Sequence, residues 1–218
     1  MQHHKHNLPQ HIFVTGIGTD VGKTIVSAVL TEALQADYWK PVQAGYADGT
    51  DSILVKELIS NAQSVIHPES YLLKVASVPS FSAEQEGVAI EADKMSIPET
   101  NNRLIIEGAG GLMVHLGKGF LVIDLIERLK TPVMLVSENY LGSINHTLLS
   151  IEALRSRNIH ILGIIYNGDH SPHMRDLIYQ TSGIHEIGSV ERGHKMDKEF
   201  IREQAAKLGV DMAKYFTL

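Results

Sequence analysis

The stretch Phe13–Leu34, "FVTGIGTDVGKTIVSAVLTEAL", decides how the rest of the chain is read. It departs by one residue from the phosphate-loop pattern G-x-x-x-x-G-K-[ST]. Counting back five positions from Gly22 reaches Ile17, whereas the glycine stands at Gly16. The apolar, β-branched run His11–Thr15 predicts a strand, and Val26, Val29, Leu30 and Leu34 recur at helical spacing over Lys23–Leu34. A strand that feeds a glycine-rich bend and then a helix presents free backbone N–H groups, and the positive end of the helix dipole, to an anion. Gly16, Gly18 and Gly22 allow that bend, with Thr19, Asp20 and Val21 between them. Lys23 then supplies charge for the outer phosphates of a nucleotide, and Thr24 a hydroxyl for Mg2+. The extra residue lengthens the loop but leaves Gly-Lys-Thr at the start of the helix, so the stretch reads as an elongated phosphate loop.

Downstream, strands and helices alternate. Strands are expected at Tyr38–Val42, Arg103–Ile106, Val133–Ser137, Ile159–Tyr166 and, more weakly patterned, Glu186–Val190. Helices are expected at Ser52–Ser60, Leu121–Leu129, Ser143–Arg155, Met174–Thr181 and Lys198–Leu208. The stretch Asn61–Asn102 is rich in Ser, Pro and Glu and reads as irregular, with one helix in its later part. Apolar strands without two-residue alternation are buried on both faces, which predicts a single doubly wound α/β domain, mostly parallel, with helices on each side. That domain is expected over residues 11–218, after a flexible histidine-rich lead-in, "MQHHKHNLPQ".

Composition narrows the function. The chain has 218 residues, 44% of them hydrophobic, enough for one well-buried core. Its net charge of −6 argues against a nucleic-acid footprint. Apolar runs such as "TPVMLVS" are too short to span a bilayer, so no membrane partner is expected. Cysteine is absent, which removes thiol catalysis. With no secretion signal in view, a reducing cytoplasm is the expected compartment. The histidines show no H-x-x-x-H or H-E-x-x-H spacing, so no zinc site is expected.

Two further elements bear on chemistry. In "IIEGAGG", Ile105–Gly111, a buried strand ends in an acid, the place where nucleotide enzymes usually contact Mg2+. Glu107 is either such a ligand or a solvated acid before a flexible turn; Gly108, Gly110 and Gly111 let a ligand lie close to backbone. In "YWKPVQAG", Tyr38–Gly45, Lys40 closes a strand before Pro41 and falls at the carboxyl edge of the sheet, where α/β ligands bind. There it is either a surface lysine or a neutraliser of charge on a transferring phosphoryl group. Asp51 in "DGTDS" is either a plain helix cap or a second carboxylate for the metal.

Taken in order, "VTGIGTDVGKT", "KPVQAG", "IEGAGG" and "YLGSINH" resemble the dethiobiotin synthetase family over nearly the whole chain. That family's phosphate loop carries the extra residue. The resemblance implies an ATP-dependent closure of 7,8-diaminononanoate and CO2 into a cyclic urea, through a carbamate and a carbamoyl-phosphate mixed anhydride. It implies Lys23 and Lys40 as charge-stabilising lysines, Thr19 beside the reacting groups, and Mg2+ between Thr24, Asp51 and Glu107. It also implies Asn167 against the nucleotide base, and a homodimer whose substrate lies across the interface. There the substrate carboxylate would meet Gly142, Ser143, Ile144 and Asn145 of the neighbouring subunit, at a helix start suited to anions.

The chain departs from the family pattern in places. Ile17 and Gly18 replace a Thr-Asp pair, Ala44 replaces a substrate-side hydroxyl residue, and Tyr140 stands where a lysine occurs. "SVPSFSAEQEG" lacks the histidine of a Ser-Pro-His element, and "IGSVERG" lacks a proline near the base. Two rivals share the loop style. An amide ligase of the cobyrinic acid type usually carries a glutaminase domain, which needs a cysteine. A partition-type ATPase switch carries an extra early lysine and a basic face or amphipathic tail, and "AAKLGVDMAKYFTL" is only mildly amphipathic.

Overall fold

Ile12, Phe13 and Val14, Leu104 to Ile106, and Val133 to Val136 are each wholly excluded from solvent, with no alternation of buried and exposed positions. Such runs are stable only as strands covered on both faces. The computed structural model describes residues 5–193 and 195–218. In chain order its first elements are β1 (His6–Asn7), β2 (His11–Gly16), α1 (Lys23–Leu34), β3 (Asp37–Trp39), β4 (Val42–Ala44), α2 (Asp51–Leu58) and β5 (Ile66–His67). β6 (Tyr71–Leu73), α3 (Pro79–Gln85), β7 (Leu104–Gly111), β8 (His115–Gly117), β9 (Phe120–Leu121), α4 (Val122–Leu129) and β10 (Val133–Glu138) follow. The chain closes with α5 (Ser143–Ser156), β11 (Ile161–Asn167), α6 (Pro172–Ser182), β12 (Glu186–Val190), α7 (Lys198–Met212) and β13 (Phe216–Thr217).

Seven strands form one parallel sheet in the order β12-β11-β10-β2-β7-β3-β5. Helices α1, α2 and α7 pack together, as do α5 and α6, while α4 packs on β7. Right-handed crossovers put the two groups on opposite faces, because the chain moves one way from β2 to β3 and the other way from β7 to β12. The expected doubly wound sheet is therefore present. Every neighbouring pair runs the same way, so the carboxyl ends of β2, β3, β7, β10 and β11 open onto one edge.

Several boundaries differ from expectation for local reasons. The strand expected at Tyr38–Val42 is split. β3 stays in the main sheet, while β4 pairs with β6 in a separate two-stranded sheet. Pro41 has no N–H to give to a ladder, so the break falls there. β7 does not end at Ile106 but runs on to Gly111, putting Glu107 within the strand rather than at its end. Its glycines permit this, since a Cβ on Gly108 would stand 2.8 Å from the Phe13 ring. The stretch 61–102 holds β5, β6, α3 and a single 3-10 turn at Ala92–Lys94, more structure than its composition suggested. Within the expected lead-in, His6 and Asn7 pair with Phe216 and Thr217, and Leu8 is buried; His3 and His4 lie outside the described residues.

At the opposite end of the sheet from the glycine loop, Asp37 is buried among four donors. Val65 N–H and Asn102 Nδ2 donate to Oδ1, and Thr100 Oγ1 to Oδ2, with His67 Nε2 3.1 Å from Oδ2. Burial would raise this carboxyl, but the hydrogen bonds, led by that from Thr100, outweigh it and hold the acid below its ordinary value. A depressed folded-state value means stability that is present above the unfolded value and is lost as pH falls through the folded one. Asp37→Asn is expected to cost about 1–3 kcal/mol at neutral pH and to flatten the acid limb below about pH 4. Urea melts at pH 7 and pH 3 check this; an equal loss at both would contradict it.

Candidate functional site

β2 ends in Gly16, and Ile17 N–H donates to Val136 O at 3.1 Å as the chain turns out of the sheet. The turn depends on two glycines. A Cβ on Gly16 would meet Val21 Cγ2 at 2.4 Å, and Gly22 caps α1 at φ 82, with its missing Cβ only 2.0 Å from Asn167 Nδ2. Asp20 also has positive φ, 59°, so the loop curls back on itself between Gly18 and Gly22. The resulting N-terminus of α1 faces a cleft of about 730 Å³.

Sheet register brings the charged groups to that cleft. Phe13 and Val14 pair with Ile106 and Glu107, and Trp39 pairs with Ile106, so Lys40 comes level with Glu107. Glu107 is wholly buried. Its Oε1 accepts from Thr24 Oγ1 at 2.9 Å and from Lys40 Nζ at 3.1 Å, and its Oε2 accepts from Tyr38 OH at 2.9 Å. Lys40 Nζ also pairs with Asp51 Oδ2. Gln43 holds Asp51 from the other side, its Oε1 accepting the Asp51 N–H at 3.2 Å. Lys23 arches over the loop, its Nζ donating to Gly18 O at 2.9 Å.

The two lysines differ in electrostatic setting. Burial would pull the Lys40 ammonium down, but the charges of Glu107 and Asp51 outweigh it and hold Lys40 above the ordinary lysine value. For Lys23 burial wins, and its ammonium is pulled below that value despite Glu107. Burial, followed by the Glu107 charge, pushes the Tyr38 phenol well above its usual range, so it remains a donor.

The cleft gathers Thr19, Asp20, Gly22, Lys23, Thr24, Lys40, Ala44, Asp51, Glu107 and Gly110 of the residues expected from sequence. Asn167 does not line it; its Nδ2 donates to Val21 O at 3.2 Å and abuts the loop from behind. Gly18 and Gly111 lie instead in a second hollow of about 580 Å³, with Ile17, Leu112, Met113, His146 and Leu149. Gly142, Ser143, Ile144 and Asn145 begin α5, and none of them lines the cleft of their own chain. Tyr38 and Gln43 were missed by sequence reasoning. The signal for Tyr38 was its spacing, since residues two apart in a strand share a face and Lys40 was already singled out.

The three candidate metal-binding side chains offer oxygen only: the Asp51 and Glu107 carboxylates, both paired with Lys40, and the Thr24 hydroxyl, bonded to Glu107. Hard oxygens in small number suit Mg2+ that is held chiefly by nucleotide phosphates. No group of three or more His, Cys, Asp or Glu that could hold a metal by itself occurs among the described residues. No helix among them is long and apolar enough to cross a membrane.

An AAA-domain family model matches residues 10–199. The ATP-dependent dethiobiotin synthetase BioD of Christiangramia forsetii is 46% identical over 200 residues, covering 92% of this chain and 96% of that protein. The one of Cytophaga hutchinsonii is 48% identical over 197 residues, covering 90% and 95%. Among solved structures, a ParA family ATPase from Chlorobium tepidum superposes with a TM-score of 0.55 at 13% identity, covering 94% of this chain and 92% of that one. The MinD cell division protein of Aquifex aeolicus gives 0.54 at 15% identity, covering 94% and 96%. At such identities these two establish the fold alone.

Proposed function

Since this chain belongs to the ATP-dependent dethiobiotin synthetase family, we propose that it closes 7,8-diaminononanoate and CO2 into dethiobiotin at the expense of ATP. The observation that carries the reading is Lys40, buried between Asp51 and Glu107 at the wall of a cleft whose other wall is the glycine loop. Three steps balance. One amine adds to CO2, giving a carbamate and releasing a proton. A carbamate oxygen then attacks the γ-phosphorus and ADP departs. The second amine attacks the carbonyl carbon of the mixed anhydride and gives up a proton, to the departing phosphate or to water. Phosphate leaves with the electron pair of the broken C–O bond as the ring closes.

Phosphoryl transfer asks mainly for positioning and charge neutralisation. In this reading the N–H groups of Gly18 to Thr24 and the Lys23 ammonium grip the β- and γ-phosphates, and Asn167 lies toward the base. Thr24, Asp51 and Glu107 would hold Mg2+, which would neutralise charge on the transferring phosphoryl group and the departing ADP. Lys40 counters the carbamate and γ-phosphate together, with Thr19 beside them. Ala44, Gly110 and Gly111 border the diamine. Ala44 brings no hydroxyl to it, which leaves backbone to make any polar contact at that point.

A homodimer completes the site. The second hollow is apolar and opens beside the cleft, sharing Thr19 and Val114 with it. Of the residues lining it, Met113 and Leu149 are each 59% exposed. A second copy covering this face would bring Gly142–Asn145 to the far end of the diamine, where helix-start N–H groups suit its carboxylate. A cytoplasmic setting accords with a chain that lacks cysteine.

The test is mass-spectrometric detection of dethiobiotin from purified protein given diaminononanoate, bicarbonate and each nucleoside triphosphate in turn. Product with ATP supports the reading. Nucleotide hydrolysis stimulated by DNA or liposomes, without product, would replace it with a partition-type switch.

A further inference from the structure

Glu107 binds its neighbours asymmetrically. Oε1 meets Thr24 and Lys40, both of which line the cleft, whereas among the described residues Oε2 meets the Tyr38 hydroxyl, which does not line it. Tyr38 and Glu107 are both wholly excluded from solvent. Their strands lie side by side in register, Tyr38 pairing with Ile105, so the phenol reaches Glu107 across a single strand spacing. A buried carboxylate with one oxygen anchored from below cannot rotate freely, and the oxygen facing the cleft keeps one orientation. Asp51 differs: its side chain is 29% exposed and its carboxylate is tied to the Lys40 ammonium at the cleft wall rather than to a group below the cleft.

We propose that Tyr38 is a positioning residue for the metal: its hydroxyl anchors Oε2 of Glu107, so that Oε1 alone is presented to the cation of the nucleotide complex. With a cation bound, the Thr24 contact at Oε1 would give way while the Tyr38 contact at Oε2 persists. Glu107 acts as the fixed acid and Asp51 as the adaptable one. The inference rests on the reading of Glu107 as a metal ligand given above.

Mn2+ affinity provides the test, read by electron paramagnetic resonance on the complex with a non-hydrolysable ATP analogue. Four proteins are compared: native, Tyr38→Phe, Glu107→Gln and the double variant. Groups that hydrogen-bond to a ligating carboxylate typically govern metal affinity by about 10–100-fold. Tyr38→Phe is therefore expected to weaken Mn2+ binding by roughly tenfold or more. Analogue affinity without metal should stay unchanged. In the Glu107→Gln background the same substitution should have no further effect, because the group it positions is gone.

Equal weakening in both backgrounds would make Tyr38 a packing residue and overturn the proposal. So would unchanged Mn2+ affinity in Tyr38→Phe while Glu107→Gln weakens it. If Glu107→Gln itself leaves Mn2+ affinity untouched, the ligand reading fails and this inference falls with it. Thermal unfolding of each variant in EDTA confirms that the proteins compared are folded.

Discussion

Lys40→Ala is expected to lower dethiobiotin formation by roughly 10²–10³-fold or more while ATP still binds. The two substrates that must meet, a carbamate and a γ-phosphate, are both anions, and their approach needs a cation on the line between them. Lys40 is 5% exposed, and its ammonium is already fixed by two carboxylates, so it needs little reorganisation when charge develops. ATP affinity should change only a few-fold, because the N–H groups of the loop and Lys23 are untouched. The substitution also leaves Glu107 buried without its cation, so stability falls by about 3–5 kcal/mol if Thr24 and Tyr38 do not compensate. Steady-state kinetics are therefore paired with thermal unfolding, and Lys40→Met, which keeps the side-chain volume, serves as a second variant. Near-normal turnover in either would remove Lys40 from the mechanism.

The second large effect is on binding. Lys23→Ala is expected to weaken ATP binding by at least about 30-fold, the lower end of what truncating one partner of a buried charge pair costs. Lys23 is 7% exposed at the first turn of α1, and its Nζ already arches back to Gly18 O, the span across which the outer phosphates are expected to lie. Alanine removes both the charge and the tether that shapes the loop. Equilibrium titration with a fluorescent ATP analogue at fixed salt measures it. A dissociation constant within threefold of the native value would show that the phosphates lie elsewhere.

Much of this was legible in the residues. Lys23 and Thr24 follow from order and spacing. Lys40, Asp51 and Glu107 had bland alternatives until the family resemblance was added, and the structure brings these five to one cleft with Gly22. Local chemistry forces the result, since a strand, a glycine bend and a helix leave little other arrangement. What the residues concealed was set by distance in the chain. That β7 continues past Glu107 depends on close approach of β2, where Gly111 pairs with Gly16, and no window of either strand contains that fact. The split between Trp39 and Val42 depends on β6 offering a second partner, although Pro41 marked the spot. Tyr38 was passed over because a tyrosine in an apolar strand reads as core. Its two-residue spacing from Lys40 was a weak signal, and its contact with Glu107, 69 positions away, is what shows its place in the site.

The account's central claim is that the bend from Gly16 to Thr24 grips a polyphosphate beside Lys40 and Glu107. A crystal structure with Mg2+ and a non-hydrolysable ATP analogue tests it most directly. The account predicts β- and γ-phosphate oxygens within hydrogen-bond distance of the N–H groups of residues 18–24 and of Lys23 Nζ, with the metal between Thr24 Oγ1 and Glu107 Oε1. A nucleotide bound elsewhere on the molecule, with the bend free of phosphate, would contradict it.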